Sequence, residues 1–210
     1  MKPIFITATN TNVGKTYTSI KLIEELSNMG FKVGVFKPIE TGVDNIPQDA
    51  SLLLDKVKLY NNNFKNLTPF DITAYTFKIP SAPFCANRDI NISKIIDKYK
   101  ELDKLCDILI VEGAGGLLVP IKENYFMIDL AKELNSNILL VTSSKLGTIN
   151  DTLLSMEALN SRKMKFIWGI NLYQDLNSFD LVSKPFFKSN FNNYLTIQDD
   201  IDKIIKVFIK

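Results

Sequence analysis

Residues 8–16 form the segment whose residue types and spacing point most directly to chemistry. The segment matches the phosphate-binding loop pattern G-x-x-x-x-G-K-[ST], with Ala8 in the place of the first glycine. Backbone N–H groups in such a loop face an anion at a helix N-terminus, and Gly14 lets the chain approach that anion closely. We therefore predict that Lys15 neutralises the outer phosphates of a nucleotide and that the Thr16 hydroxyl ligates magnesium.

An acidic residue at the end of a predicted strand could complete the magnesium site. Glu112 follows the apolar residues 108–111 and begins the glycine-rich stretch 112–116. Such a strand would deliver the Glu112 carboxylate to the rim of a sheet beside the phosphate-binding loop, where acidic groups hold or orient Mg²⁺. An exposed acid before a flexible turn is the simpler interpretation of these residues alone, but the phosphate-binding loop upstream favours the metal-binding one.

Two further segments carry polar residues whose role is open on local sequence alone. Lys37 follows the apolar residues 33–36, which would place its ammonium near a ligand crevice or leave it as a surface lysine. Asp49 lies a short loop further on and would by itself be interpreted as a solvated acid. Residues 145–150, Lys-Leu-Gly-Thr-Ile-Asn, could be no more than a capped helix start.

The composition excludes several kinds of catalytic machinery. The 210 residues include 25 basic and 23 acidic side chains, two cysteines and no histidine. The absence of histidine rules out Ser-His-Asp and Cys-His triads, His-ligated zinc, and imidazole as general base or pH switch. All but two of the basic residues, Arg88 and Arg162, are lysines, so bidentate guanidinium clamps are scarce. Catalysis must therefore use lysines, carboxylates, hydroxyls, amides, backbone dipoles or a hard metal ion.

Charge and hydropathy predict a cytoplasmic protein that binds neither nucleic acid nor membrane. The formal net charge of +2 argues against a nucleic-acid binder that relies on a strong basic field. The sequence has no run of about 18 uninterrupted apolar residues, and its first residues show no signal-peptide pattern. Cys85 and Cys106 lie far apart, which favours reduced thiols over a structural disulfide.

Apolar runs and helical spacing alternate along the chain, which is typical of an α/β fold. The predicted strands are residues 4–6, 33–36, 72–77, 107–111, 138–141 and 166–170. Helices are predicted after the phosphate-binding loop as far as Gly30, and at residues 50–59, 92–99, 128–134, 149–159 and 199–209. Residues 39–49 and 172–193 are predicted to be mainly loop.

These elements predict a single domain over residues 1–210, built on a mostly parallel central sheet with helices on both faces. In such sheets, ligands bind beyond the carboxyl ends of the strands. The polar segments 11–16, 37–41 and 112–116 each follow a predicted strand. We therefore expect them to meet at one edge of the sheet.

Taken together, these segments resemble the dethiobiotin synthase family. The shared motifs are T-x-T-x-V-G-K-T at 9–16, K-P-I-x-[ST]-G at 37–42 with Asp49 after it, V-E-G-A-G-G at 111–116, K-L-G-x-I-N at 145–150, and Gly-Ile-Asn at 169–171. Their order and spacing fit over residues 3–171. The pair V-E-G-A-G-G and K-L-G-x-I-N is far more specific than a phosphate-binding loop alone.

The resemblance implies a P-loop fold and an ATP-dependent ligase of biotin biosynthesis that acts as a homodimer. The family joins CO₂ to one amine of 7,8-diaminononanoate as a carbamate, which ATP then phosphorylates. The neighbouring amine attacks the mixed anhydride, closes the ureido ring and releases phosphate. These steps need no imidazole, because phosphoryl transfer depends chiefly on positioning and on charge neutralisation by lysines and Mg²⁺.

The resemblance also implies roles for individual residues. Lys37 and Lys15 would be catalytic, and Thr16, Asp49 and Glu112 would ligate magnesium. The residues implied to hold the nucleotide are Asn12, Val13, Gly14, Lys15, Thr16, Tyr17, Asp49, Glu112, Gly113, Ala114, Gly115 and Asn171. Those implied to hold the substrate are Thr11, Lys37 and Thr41 at its carbamate or amine end, and Leu146, Gly147 and Asn150, which would receive its carboxylate across a homodimer interface.

Three positions depart from the family's usual pattern. Ala8 stands for a glycine, Asn12 for a glutamate, and Leu172 for the aspartate that usually follows Asn171. No segment after Asn171 matches the family's base-binding loop. ATP as the preferred nucleotide is therefore a hypothesis at this point.

Three other functions are compatible with a phosphate-binding loop. A switch ATPase of the partition or site-selection type would carry a lysine early in the loop, where this chain has Asn10. A ligase acting on another small carboxylate, of the amide-synthase type, usually carries a glutamine-hydrolysing domain with a histidine, which this chain lacks. A binding module that retains the loop would bind nucleotide without turnover.

Overall fold

The fold is built on a parallel sheet, seen in a computed structural model that describes residues 1–173, 175–191 and 194–209. The strands are β1 (Ile4–Ala8), β2 (Val33–Thr41), β3 (Thr73–Phe77), β4 (Ile108–Gly116), β5 (Pro120–Lys122), β6 (Tyr125–Phe126), β7 (Asn137–Ser143), β8 (Phe166–Asn171) and β9 (Leu195–Thr196). Seven of them form one sheet in the order β3-β2-β4-β1-β7-β8-β9, and every neighbouring pair is parallel. β5 and β6 form a separate antiparallel hairpin. The predicted α/β class is confirmed.

Helices connect most of these strands. They are α1 (Lys15–Asn28), α2 (Gln48–Lys58), α3 (Pro83–Ala86), α4 (Ile92–Asp103), α5 (Met127–Glu133), α6 (Thr148–Ser161), α7 (Leu176–Ser178), α8 (Lys184–Asn190) and α9 (Ile201–Phe208). Within the described ranges, no helix is long and apolar enough to cross a membrane.

The central strand β1 shows why consecutive apolar residues form this sheet. All five residues of β1 are buried, and β1 lies between β4 and β7. Its residue Ile6 pairs with Glu112 on one side and with Leu139 on the other. A strand buried at every position has both of its faces covered, which is the usual reason for an uninterrupted apolar run in a parallel sheet.

Two strands are longer than their apolar runs predict. β2 continues through Lys37 to Thr41, and β4 continues through Glu112 to Gly116. The prediction of a loop from residue 39 is therefore wrong for its first three residues. The reason is pairing with a distant strand, because residues 37–41 of β2 lie beside residues 73–77 of β3.

The region predicted to be loop after Asn171 is largely helical. α7, a π-helical turn (Phe179–Ser183) and α8 follow one another from residue 176 to residue 190. Phe187 of α8 is fully buried, and its ring packs against Trp168 of β8 at a centroid distance of 5.6 Å. This contact joins residues far apart in sequence, so local patterning did not reveal it. Of the predicted loop, residues 174, 192 and 193 lie outside the described ranges.

Candidate nucleotide and substrate site

The loop between β1 and α1 has the shape of an anion cradle. β1 ends at Ala8 and α1 begins at Lys15, directly after Gly14. Asn12 and Gly14 both have left-handed backbones, with φ angles of 58° and 99°. The first N–H groups of a helix have no acceptor within the helix, and their positive end attracts anions. The loop therefore presents donors for a phosphate, as its sequence predicts.

Ala8, which departs from the phosphate-binding loop pattern, lies at the end of a buried strand rather than inside the cradle. Ala8 is fully buried and pairs with Gly116 of β4 and Val141 of β7. A Cβ added at Gly116 would lie 3.2 Å from the Ala8 carbonyl oxygen. The backbones of β1 and β4 therefore approach closely at this point because Gly116 of β4 has no side chain.

Asn171, the last residue of β8, contacts the loop at the same carboxyl edge of the sheet. The Asn171 Nδ2 group donates a hydrogen bond of 2.9 Å to the Val13 carbonyl oxygen. A Cβ added at Gly14 would overlap this same amide nitrogen. Gly14 is therefore required both for its backbone conformation and because Asn171 occupies the space beside it.

The Lys15 ammonium lies beneath the loop without a carboxylate in contact. It is 8% exposed and donates to the Asn10 carbonyl oxygen at 3.2 Å. Among the described residues, no acidic group lies within ion-pair distance of it. Burial, reinforced by the neighbouring charge of Lys37, lowers the pKa of Lys15 from 10.5 to about 8. An anion that binds beside Lys15 would offset the cost of burying its charge.

Lys37, unlike Lys15, is in contact with two carboxylates. Its ammonium is 2.7 Å from Glu112 Oε1 and 2.9 Å from Asp49 Oδ2, and only 2% of its side chain is exposed. Burial alone would lower the pKa of Lys37, but the charges and hydrogen bonds of the two carboxylates outweigh burial and raise it. Burial likewise opposes ionisation of Asp49, yet the Lys37 charge keeps the pKa of Asp49 below its ordinary value. The three residues form an ion triad in which Lys37 and Glu112 are buried and Asp49 is partly exposed.

Glu112 is the fully enclosed carboxylate of this triad, and Lys37 lies between it and Asp49. Glu112 is buried inside β4 rather than at the rim of the sheet where it was predicted, and the alternative interpretation as an exposed acid is wrong. Its Oε1 accepts from the Thr16 hydroxyl at 3.0 Å and from Lys37, and its Oε2 accepts from the Ser19 hydroxyl at 2.7 Å. Ser19 lies one helical turn beyond Thr16 on α1, which was the signal that could have identified it. Each carboxylate oxygen therefore has protein donors of its own.

Glu40 positions Asp49, and the sequence analysis missed it. The Glu40 carboxylate accepts from the backbone N–H groups of Asp49 and Ala50, each at 2.9 Å. These groups belong to the first turn of α2, whose own N-cap residue, Pro47, provides no side-chain cap. Burial raises the pKa of Glu40 despite these two hydrogen bonds. The sequence signal for Glu40 was an acidic residue close after the apolar run of β2, where a buried carboxylate needs hydrogen-bond donors.

The residues predicted to ligate magnesium have the right chemistry for that ion. Thr16, Asp49 and Glu112 supply a hydroxyl and two carboxylates, and the Thr16 hydroxyl and Lys37 meet at one oxygen of Glu112. Mg²⁺ is commonly held by one or two carboxylates together with substrate phosphates and water. In the described part of the chain, no cluster of three or more acidic, cysteine or histidine side chains forms a complete metal cage. Oxygen atoms of a bound phosphate would therefore have to complete the coordination.

Thr16, Lys37 and Asp49 border a cavity of about 1150 Å³ at the carboxyl edge of the sheet, whereas Glu112 is buried and does not line it. The predicted site residues that line it are Thr11, Asn12, Gly14, Lys15, Thr16, Tyr17, Lys37, Thr41, Asp49, Ala114, Gly115 and Asn171. Residues 80–83, at the start of α3, form part of the wall and were not predicted. The volume slightly exceeds the roughly 300–1,000 Å³ of pockets that hold one small-molecule ligand.

The far wall of the cavity contains two residues that sequence reasoning missed. Gln198 donates from Nε2 to Asn171 Oδ1 at 2.6 Å and accepts from the Leu172 N–H at 2.9 Å. The Tyr173 hydroxyl donates to the Asn12 carbonyl oxygen. Both residues lie well beyond the motifs that identified the site, and no local pattern marked them.

Several predicted residues lie outside this cavity. Gly113 packs close to Phe5, where an added Cβ would meet the ring at 3.0 Å. Leu146 and Asn150 are exposed, and Gly147 has open space around it. Leu146 borders a separate hollow of about 180 Å³ on the outer side of the phosphate-binding loop. The predicted substrate-carboxylate residues thus do not meet Lys37 within one chain.

Comparisons with known sequences identify close relatives. The profile described as "AAA domain" matches residues 2–181. The chain is 53% identical over 208 residues to the ATP-dependent dethiobiotin synthetase BioD of Sulfurovum sp. (strain NBC37-1), over 98% of this chain and 99% of that one. It is 37% identical over 217 residues to the protein of the same name from Wolinella succinogenes, over 100% of this chain and 99% of that one. The resemblance inferred from the motifs is confirmed.

Solved structures with the same fold include partition proteins. A plasmid partition protein from Borrelia burgdorferi matches with a TM-score of 0.60 at 11% identity, over 100% of this chain and 99% of that one. A ParA family ATPase from Chlorobium tepidum TLS matches with a TM-score of 0.54 at 12% identity, over 100% and 94% of the two chains. At these identities the likeness shows the fold alone, so it does not favour a switch ATPase.

The contact between Gly14 and Asn171 can be tested by comparing Gly14→Ala with Gly30→Ala. Both glycines have φ angles above 90°, but a Cβ at Gly30 would meet nothing within 4 Å. Each variant should lose roughly 1–2 kcal/mol of unfolding free energy because of the left-handed backbone. Gly14→Ala should lose roughly 1–3 kcal/mol more, because Asn171 has to move. Urea unfolding of both variants measures the difference, and equal losses would contradict a tight contact.

The buried charge of Lys15 can be tested by the stability of Lys15→Met as a function of pH. Below pH 8 the lysine is protonated in both folded and unfolded chains, so the folded state bears the full penalty of burying the charge. Lys15→Met should then be more stable than the wild type by on the order of 3 kcal/mol. The difference should shrink as pH rises from about 8 towards 10.5, because the folded wild type loses its charge first. Chemical unfolding at several pH values measures it.

Lys100→Met, at an exposed position of α4, is the matched control for loss of a surface lysine. A Lys15→Met effect that does not change between pH 7 and pH 10 would show that burial of the charge is not its cause.

Proposed function

The chain belongs to the ATP-dependent dethiobiotin synthetase family, and we propose that its cavity closes the ureido ring of dethiobiotin from 7,8-diaminononanoate and CO₂. The observation that carries this proposal is the placement of Lys15, Thr16 and Lys37 around one cavity, with the buried Glu112 carboxylate in contact with Thr16 and Lys37. Two lysines and two carboxylates beside a phosphate-binding loop suit phosphoryl transfer to a small anion. The chain contains no histidine, so imidazole has no part in the reaction.

The proposed reaction has three steps in which the substrate supplies the nucleophiles. One amine of the diamine adds to the carbon of CO₂ and loses a proton, giving a carbamate. A carbamate oxygen then attacks the γ-phosphorus of ATP, and ADP leaves. The second amine attacks the carbonyl carbon of this mixed anhydride, which closes the ring and expels inorganic phosphate. The protein has to orient two anions and offset their charge.

Lys15 is assigned to the triphosphate. Its ammonium lies under the loop that presents the helix N-terminus, and no carboxylate of the described chain competes for it. A phosphate would supply the counter-charge that Lys15 lacks, and would thereby restore its protonated form. This arrangement lets the binding energy of the anion offset the cost of keeping Lys15 buried.

Lys37 is assigned to the reacting groups. It lies in β2 between the phosphate-binding loop and Thr41, which borders the same cavity. The raised pKa of Lys37 keeps its ammonium protonated at any pH at which the protein works. Lys37 is therefore suited to stabilise charge on the carbamate and the transferred phosphoryl group, and unsuited to act as a base.

Magnesium is proposed as the metal of the reaction. Thr16, Asp49 and Glu112 would hold it, for the reasons of donor chemistry given above. When bound, the ion would neutralise charge that develops between the outer phosphates of ATP. The residues of the chain would orient it through Ser19 and Glu40, which already fix Glu112 and the start of α2.

ATP is proposed as the preferred nucleotide, with the base near Asn171 and Gln198. The Asn171 amide already bonds to Val13 and Gln198, so it serves chiefly as a brace. Gln198 borders the cavity, and its amide has one further N–H and one further acceptor position beyond its two bonds. A donor next to an acceptor matches the amino group and ring nitrogen of adenine.

The enzyme is proposed to be a homodimer whose site spans the two chains. Leu153 and Leu154 are 40% and 58% exposed, and with Asn150 they have the spacing of one face of α6; Leu146, just before the helix, is 78% exposed. A second copy of this chain would cover that apolar face. It would also bring Leu146, Gly147 and Asn150 to a substrate that they do not reach within their own chain.

The cytoplasm is proposed as the site of the reaction. Cys85 is exposed and Cys106 is half-buried, and both are free thiols. Free thiols of this kind are typical of proteins in a reducing compartment.

The proposed activity predicts dethiobiotin and ADP from the purified chain with 7,8-diaminononanoate, bicarbonate, Mg²⁺ and ATP, detected by mass spectrometry. Lys37→Ala should abolish turnover while triphosphate affinity falls much less, because Lys37 contacts the reacting groups. Replacing ATP with GTP, CTP or UTP should lower kcat/KM. Absence of product while the Sulfurovum relative succeeds under the same conditions would refute the activity, and equal loss of turnover and affinity would place Lys37 in the nucleotide site.

The proposed dimer predicts that two defective chains restore each other. Asn150→Ala should raise the KM for the diamine, whereas the control Asn160→Ala, exposed further along the same helix, should not. A mixed dimer of Asn150→Ala and Lys37→Ala chains contains one intact site, so an equimolar mixture should recover roughly a quarter of wild-type activity at low diamine. A mixture no more active than its parts would contradict a shared site.

A further inference from the structure

The triad of Lys37, Asp49 and Glu112 has a feature that the proposed reaction does not explain. Two of the three residues proposed to hold magnesium are already bound to the Lys37 ammonium, at 2.7 Å from Glu112 and 2.9 Å from Asp49. Thr16, the third, donates to the same Glu112 oxygen that Lys37 contacts. The ammonium therefore lies among the proposed metal ligands, where a cation would otherwise bind.

The surrounding protein fixes the Glu112 carboxylate fully and the Asp49 carboxylate only in part, since the Asp49 side chain is 43% exposed. Glu112 is fully buried, and its second oxygen is occupied by the Ser19 hydroxyl. Asp49 is fixed through its own backbone N–H by Glu40. A magnesium ion needs direct oxygen contacts at about 2.0–2.1 Å in near-octahedral geometry. It cannot take the Glu112 oxygen in that geometry while an ammonium occupies the same place.

We propose that Lys37 is the resident cation of the magnesium site, and that entry of Mg²⁺ displaces its ammonium from Glu112 and Asp49 towards the cavity. This inference rests on the magnesium ligands proposed above. Metal loading and delivery of Lys37 to the reacting groups are then one event. Before that event, Lys37 keeps two carboxylates neutralised in a site where an uncompensated charge would be costly.

The cavity provides open space into which the displaced ammonium can move. Lys37 borders the cavity, and β3 and β4 lie on either side of β2. The cavity is where the carbamate and the transferred phosphoryl group are proposed to lie, and both carry negative charge. Lys37 therefore exchanges carboxylates of the protein for anions of the substrate.

The first test measures Mg²⁺ binding by thermal unfolding of Lys37→Met, with neither nucleotide nor diamine present. Removal of the competing cation should lower the Mg²⁺ concentration needed for a given rise in Tm by roughly tenfold or more relative to the wild type. Lys15→Met is the matched control, because it removes a buried lysine of the same site that contacts neither Asp49 nor Glu112. Its Mg²⁺ response should stay close to that of the wild type.

Two outcomes would overturn the proposal. One is a Lys37→Met response no stronger than that of the wild type, and the other is an equal gain in both variants, which would reflect net charge alone. A Lys37→Met chain that folds only when Mg²⁺ is added would support the proposal, because the metal would then replace the missing ammonium.

The second test uses the wild-type chain and does not depend on any variant folding. The rate at which an amine-acylating reagent modifies Lys37 is measured by mass spectrometry with Mg²⁺ and with chelator. Displacement should raise this rate for Lys37 and leave exposed Lys100 unchanged, whereas an unchanged or lower Lys37 rate would overturn the proposal. Neither test needs turnover, so a chain without synthase activity could still show the exchange, and an active chain could fail to show it.

Discussion

The ion pair between Lys37 and Glu112 is the interaction on which the rest of the site depends. It joins β2 to β4 in the interior of the sheet, and through Thr16 and Ser19 it joins both strands to α1. Breaking a buried pair by removing one partner typically costs roughly 3–5 kcal/mol, because the remaining charge is left uncompensated. The pair therefore fixes the positions of the phosphate-binding loop, the proposed metal ligands and the substrate end of the cavity relative to one another.

Two lysines in this site differ in pKa because of what surrounds them. Lys15 and Lys37 are both buried, but only Lys37 has carboxylates in contact. The pKa of Lys15 is accordingly lowered and that of Lys37 raised, although burial acts in the same direction on both. The site thus contains one cation whose charge is balanced by the protein and one whose charge is left for a ligand to balance. A single fold assigns these different roles by placing Glu112 nearer to one lysine than to the other.

Local sequence was sufficient wherever a feature depends on near neighbours along the chain. The phosphate-binding loop and the central strands could be predicted from one short motif and from apolar runs, whereas Lys37 was given a role only by the family resemblance of several motifs together. The extension of β2 to Thr41 could not, because it requires β3 beside it. Helix formation over residues 176–190 depends in the same way on Trp168. Glu40 and Gln198 were missed because each acts on residues that only the folded chain brings close.

The hydrogen bond from Asn171 to Val13 spans 158 positions of sequence. Asn171 is in turn held by Gln198, which lies in the last turn before α9. Because a ribosome makes the chain from its N-terminus, the loop at residues 9–14 emerges long before the residues that brace it. The nascent chain therefore acquires the fully braced loop only after Gln198 has been made, and shorter nascent chains carry the loop without its brace.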